Sequence, residues 1–159
     1  MSSPPIEDRR KWPQQWADEV HGNQNPDFID ECHAPNWVGH FDGEDLTNHE
    51  YKQMQRQLLG GFPDAEFVFD PVVVEENTVA GHWIMTGTHT GEFDGLKPTG
   101  RNVRVTGSFV THYDENGRAV ETWENIDRFS MLQQLGIAPN DFTMGELLRT
   151  LVNLLKSGV

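Results

Sequence analysis

The sequence predicts one α+β domain in which N-terminal helices cover one face of a curved antiparallel sheet. Three observations lead there. Apolar residues recur at helical spacing as far as Gly60-Gly61, the period drops to two from Glu66 onward, and Asn116-Gly117 marks a hairpin between two alternating segments. A length of 159 residues suits a single domain, with no internal repeat or linker.

Residues 1–11 are polar and proline-rich and read as a flexible N-terminal arm, residues 12–139 as the domain, and residues 140–159 as a C-terminal helical extension. Pro13 fits the first turn of a helix running to about Val20, with Trp12, Trp16 and Val20 at four-residue spacing and Gly22-Asn23 as its stop. Pro26 opens a second short helix that turns Phe28 and Ile29 inward and ends before Pro35. Trp37, Val38 and His40 read as an extended bend. Thr47-Asn48-His49-Glu50 has a capping-box pattern, and Tyr51, Met54, Leu58 and Leu59 follow at helical spacing.

Four strands are expected over residues 66–75, 77–90, 101–114 and 118–129, with a longer loop from Gly91 to Gly100. Ser130 and Gln133 suggest a capping box for a short helix ending at Gly136. A last helix, from about Thr143 to Lys156, carries Met144, Leu147, Leu148, Leu151, Val152 and Leu155 as a broad apolar stripe. That stripe either packs back onto the domain or pairs with another subunit.

Composition narrows the function classes. The formal charge of −13 repels nucleic acid and anionic membrane surfaces, so neither is an expected partner. Asp and Glu are dispersed along the chain, which fits either a salt-adapted (halophilic) protein or an ordinary acidic one. Cys32 is the only cysteine, so no internal disulfide forms, and its helix-like setting favours a buried inert thiol. No apolar run precedes Trp12 and no membrane span is visible, so a cytoplasmic protein is expected.

Asp127 is the first candidate for chemistry. By the two-residue period it shares a strand face with Trp123 and Asn125. A carboxylate set among indole rings loses hydration, its pKa rises, and it becomes a better base near neutral pH. The alternatives are a strand-end carboxylate paired with an arginine, or one that helps cap the next helix. If Asn116 and Gly117 are the two central turn residues, Asp127 faces Thr106, Asn125 faces Ser108, Trp123 faces Val110 and Glu121 faces His112. A three-residue loop ending in Gly117 shifts the register by one and brings Val105, Gly107 and Phe109 opposite instead. The sequence leaves both open.

His89 is the second candidate, sharing a face with Trp83 and Met85. A neutral imidazole there could donate to a developing enolate oxygen, or could simply hold the loop entrance. His40 could reach the cavity mouth together with Trp37, whereas His21, His33 and His49 read as solvated. No metal-ligand spacing occurs on any single element, and GTHTG lacks the following helix that a phosphate loop needs.

These pieces together resemble the SnoaL-like polyketide cyclase (ester cyclase) family, within the NTF2-like cone-shaped α+β folds. The matching segments are 62–64 (FPD), 87–95 (GTHTGEFDG), 98–100 (PTG), 115–127 (ENGRAVETWENID) and 133–139 (QQLGIAP), with 25–40 resembling the family's early helix-to-His segment. The resemblance covers roughly residues 12–139. It implies an acid–base enzyme without a cofactor or metal, acting on a small hydrophobic carbonyl compound by aldol-type cyclisation or isomerisation. Carried over, Asp127 is the general base or acid and His89 its pocket partner, while His40, Trp37 and Trp123 line the substrate cavity; the strand faces and hairpin register add Trp83, His112 and Asn125 to the expected substrate-binding residues. A homodimer or higher homo-oligomer is expected. A hydrolase or dehydratase using the same cavity, or a non-catalytic small-ligand-binding protein, are the other readings.

Overall fold

A computed structural model describes residues 6–140 together with Gly145, Leu148, Arg149 and Val152. The helical layer consists of α1 (Ile6–Arg9), α2 (Trp12–Ala17), a π-helical turn (Asp18–Gly22), a 3-10 turn (Pro26–Phe28), α3 (Ile29–Cys32) and α4 (Asn48–Gly61). Helix α4 starts at a complete capping box. The Thr47 hydroxyl accepts from the Glu50 amide, and the Glu50 carboxylate accepts from the Thr47 amide at 2.8 Å.

The segment expected to be a flexible arm is helical from Ile6. Its anchor is Arg9, only 4% exposed, which donates through Nη1 to the Glu76 carbonyl and to Asn77 Oδ1 and lies 5.6 Å over the Trp12 ring. Burying an arginine demands such partners.

The sheet is built from β1 (His33–Phe41), β2 (Glu44–Thr47), β3 (Glu66–Glu75), β4 (Thr78–Thr88), β5 (Asn102–Tyr113) and β6 (Ala119–Ile126). Its order is β2-β1-β6-β5-β4-β3, antiparallel except for the parallel β1–β6 pair. The expected meander is therefore β3 to β6, and the expected bend around Trp37 is strand β1. Local sequence hid β1 because its pairing to β6 joins residues more than 80 apart. The sheet is curved and unclosed, and the α+β class and NTF2-like fold stand as expected.

The β5–β6 hairpin combines features of both sequence alternatives. Its loop holds three residues, Glu115 to Gly117, closed by the Asp114 amide donating to the Arg118 carbonyl and by Gly117 at φ +79. A bulge opposite His112 and Tyr113 then restores the other register, so Ser108 pairs with Asn125, Val110 with Trp123 and His112 with Glu121.

Helix α5 (Arg128–Gln134) begins two residues earlier than the expected Ser130 cap, because Asp127 takes the capping position. Two apolar clusters hold the layers together. Phe62, Trp83, Val105 and Leu135 belong to the first, and Val20, Ile29, Trp37, Phe41 and Tyr51 to the second. Full burial of an aliphatic or phenyl side chain contributes about 1.5–3 kcal/mol. The outer sheet face leaves Val38, Val68, Val73, Val110 and Trp123 exposed.

Of the C-terminal helix, Gly145, Leu148, Arg149 and Val152 are helical and exposed. Met144, Leu147, Leu151 and Leu155, with the expected ends at Thr143 and Lys156, lie outside the described residues, as do the first five residues of the arm. Among the described residues no helix is long and apolar enough to cross a membrane.

Thr47→Ala removes one half of the α4 capping box and should cost about 1 kcal/mol in urea denaturation. A loss no larger than experimental error would show that packing alone fixes the start of α4.

Candidate functional site

Strand alternation decides which side chains reach the space between sheet and helices. On β5 the inward set is Val103, Val105, Gly107, Phe109 and Thr111, all buried. Their cross-strand partners on β6 must point the same way. Phe109 pairs with Glu124, Thr111 with Thr122 and Gly107 with Ile126, so Thr122, Glu124 and Ile126 face inward. Trp123, Asn125 and Asp127 do share one face, as the period requires, but it is the outer one.

Sheet and helices enclose a cavity of about 840 Å3. Trp37, Tyr51, Phe67, Trp83 and Phe109 contribute rings to its wall, and Glu124 contributes a carboxylate. Glu124 is half-buried and touches cavity space, with protein packed densely around its carboxyl group. Burial pushes its pKa up to about 7, a donated hydrogen bond from Trp83 and the charge of Arg128 pull the other way, and the charge of Asp42 adds to the rise. The Trp83 bond, from Nε1 to Oε1, measures 2.8 Å.

Gly107 makes that bond possible. It sits opposite Trp83 on β5, and a Cβ at this position would lie 2.2 Å from the indole ring. Only a residue without a side chain lets the ring lie flat across the strand with its N–H directed at β6.

Three further polar groups face the cavity. Trp37 Nε1 donates to Thr122 Oγ1 at 3.1 Å, and Thr122 and Thr111 share a hydroxyl–hydroxyl bond of 3.1 Å. Whichever threonine donates to the other, one hydroxyl hydrogen of the pair remains for a ligand. At the rim, Arg128 pairs with Asp42 at 2.8 Å.

The other expected site residues fall elsewhere. Asp127 is exposed, and its Oδ1 accepts from the Ser130 amide at 3.0 Å, so it serves the helix cap and not the cavity. His89 is fully buried but stands behind the cavity wall. Its Nδ1 accepts from the Thr99 amide at 3.3 Å and its ring stacks on Phe62, pinning the loop that precedes β5.

His40, Trp123 and His112 do cluster, but on the outer face. His40 stacks on Trp123 at 5.2 Å, and Trp123 meets His112 edge-on at 5.0 Å. Hydrogen bonds to Glu121 and Asp45, one at each ring nitrogen, favour the charged form of His40 and raise its pKa. Asn125 is exposed opposite Ser108. Of the expected lining residues, Trp37 and Trp83 reach the cavity.

Two histidines read as solvated are buried. His33 lies against Trp37 and Tyr51 and bonds Asn48 at 2.9 Å, and burial lowers its pKa to about 4. His21 is lowered to about 4 for the same reason. Glu124 was missed because the paired strand β6 has no clean apolar face. The unbroken Val103, Val105, Gly107, Phe109 set on β5, combined with the two-residue-turn register, was the signal that could have found it.

Burial makes the charged form of Glu124 costly, with a definite sign. Below pH 4.5, its ordinary value, the group is neutral in both folded and unfolded chains. Between that pH and about 7 the unfolded chain loses the proton first, so stability falls as pH rises, and the loss is complete above about 7. Relative to wild type, Glu124→Gln should therefore gain roughly 3 kcal/mol more at pH 8 than at pH 4 in urea denaturation. An equal difference at both pH values would mean the carboxyl is solvated.

A family model for the SnoaL-like polyketide cyclase matches residues 13–135. Among solved structures, AclR from Streptomyces galilaeus, a candidate hydroxylase, is similar at 24% identity with a TM-score of 0.76, covering 85% of this chain and 100% of its own. IdmH from Streptomyces antibioticus, a candidate polyketide cyclase, is 27% identical with a TM-score of 0.66 over 76% of this chain and 93% of its own. A candidate polyketide cyclase from Acidithiobacillus ferrooxidans is 28% identical with a TM-score of 0.64 over 77% and 90%. No curated protein matches the chain.

Proposed function

Because the chain belongs to the SnoaL-like polyketide cyclase family, we propose that it removes a proton next to a carbonyl in a small hydrophobic substrate, with Glu124 as the base, and so drives an aldol-type cyclisation or an isomerisation. The observation that carries this reading is a carboxylate raised to about 7 inside a ring-lined cavity. A group that titrates near the working pH is both present as a base and able to return the proton.

The steps follow from the residues. Glu124 takes the proton, and the C–H electron pair moves onto the carbonyl oxygen to form an enolate. The spare hydroxyl hydrogen of the Thr111–Thr122 pair, backed by the Trp37 N–H, is available to that oxygen. The enolate carbon then attacks a second carbonyl of the same molecule, and protonated Glu124 returns its proton to the new alkoxide. Aromatic walls exclude water from the enolate.

A hydrolase or dehydratase is the second reading, favoured by the Arg128–Asp42 pair at the rim. The expected homodimer or higher homo-oligomer belongs to the same proposal, supported by exposed Val68, Val73 and Trp123 on the sheet and by exposed Leu148 and Val152.

Hydrogen–deuterium exchange at the acidic carbon of 2-tetralone, followed by NMR, isolates the first step. Glu124→Gln should lower catalysed exchange by roughly 100-fold or more. Asp127→Asn should stay close to wild type, since asparagine caps a helix as well as aspartate. Because the deprotonated carboxyl is the active form, the wild-type rate should rise through pH about 7 to a plateau. Unchanged exchange in Glu124→Gln would remove the residue from the mechanism.

A further inference from the structure

The start of β1 sets into the cavity wall a histidine that the proposed proton transfer does not use. His33 opens the strand, pairs with Ala119 on β6 and lines the cavity. It is 7% exposed, with its ring 4.4 Å from that of Trp37 and 5.6 Å from that of Tyr51. Asn48 fixes which ring nitrogen carries the proton. Its Nδ2 donates to the Ala34 carbonyl at 2.8 Å, so Oδ1 is the atom turned to His33 Nδ1, 2.9 Å away. An amide oxygen can only accept, so Nδ1 holds the hydrogen. Burial lowers the pKa of His33 to about 4, and the neutral imidazole has one N–H. Nε2 therefore keeps its lone pair.

That lone pair has no hydrogen-bond partner among the described residues, yet, unlike both ring nitrogens of His21, it is not sealed off from accessible space. An acceptor taken into an interior loses hydration and needs a replacement. Packing against Trp37 and Tyr51 asks only for a flat ring, which phenylalanine would supply without a bare acceptor. The fixed tautomer asks for more, because it needs Asn48 held in one orientation. With a pKa of about 4 the ring does not hold a second proton at neutral pH, so its chemistry there is to accept a hydrogen bond. The surrounding wall is aromatic, and Trp37 carries it on to Thr122 through its N–H.

We propose that His33 presents Nε2 to the cavity as a fixed acceptor for a hydroxyl group on a ring-shaped ligand. One atom is enough for this role, and it selects by chemistry. A hydroxyl donates to Nε2, whereas a carbonyl or ether oxygen at the same place would set two acceptors against each other. Because Asn48 holds the proton on Nδ1, the ring does not switch tautomer to suit such a ligand. A site built to bond a hydroxyl rejects an analogue lacking it, because its own acceptor is then left unpaired. The inference rests on the cavity being the ligand site, but not on Glu124 being the base.

The test is binding of 2-naphthol and its near-isostere 2-fluoronaphthalene, which cannot donate, followed by quenching of the cavity tryptophans. His33→Phe keeps a flat ring and should lower the ratio of 2-naphthol to 2-fluoronaphthalene affinity by roughly tenfold, the scale of a hydrogen bond to a buried group. Glu124→Gln should keep the wild-type ratio, which separates this acceptor from the proton-transfer reading. Nitrogen-15 NMR of histidine-labelled wild type adds a readout that packing alone does not move. His33, assigned by its loss in His33→Phe or, if that variant does not fold, in His33→Gln, should show a protonated Nδ1 and a bare Nε2 at neutral pH. Adding 2-naphthol, but not 2-fluoronaphthalene, should move the Nε2 signal upfield toward that of a hydrogen-bonded nitrogen. An unchanged affinity ratio in His33→Phe, an Nε2 signal that 2-naphthol leaves in place, or no binding of either probe by the wild type would overturn the proposal.

Discussion

One hydrogen bond, from the Trp83 indole to Glu124, organises the cavity. A carboxylate walled in by rings has little to replace lost water, and a single indole N–H offsets only part of that cost. The result is an acid that titrates near neutrality. Everything around it serves this geometry. The absence of a side chain at Gly107 lets the indole lie across β5, and the hairpin bulge sets Glu124 opposite Phe109.

Asp127 and Glu124 lie three residues apart and meet opposite fates. Asp127 follows the strand, faces water and accepts from a helix amide. Glu124 faces inward, where charge is costly. Strand parity, more than residue type, therefore separates a structural carboxylate from a candidate catalytic one. The outer face repeats the lesson: His40, Trp123 and His112 form an aromatic and charged cluster with the composition of a site, but on the solvent side of the sheet.

The fold was legible in the sequence because its signals are local. The Thr47–Glu50 capping box, the switch to period two at Glu66 and the Asn116-Gly117 turn each act over a few residues. Strand β1 was not legible, since its parallel partner is far away in the chain and its alternation is interrupted by Pro35 and Asn36. The site was half legible. Trp37 and Trp83 are cavity residues, and the register across β5 and β6 was among the alternatives. The side of β6 was inverted because Trp123 suggested an interior, while the decisive apolar set lay on the neighbouring strand. His21 and His33 defeated sequence reading for a different reason: aromatic neighbours that are distant in the chain, or poorly placed by helical period, bury them as neutral rings.

The central claim is that the Glu124 carboxyl is held in a dry pocket and titrates near neutrality. Carbon-13 NMR of glutamate-labelled protein, with Glu124 assigned by its loss in Glu124→Gln, measures that titration directly. The account predicts a midpoint of about 7. A midpoint near 4.5, that of an ordinary solvated glutamate, would contradict it.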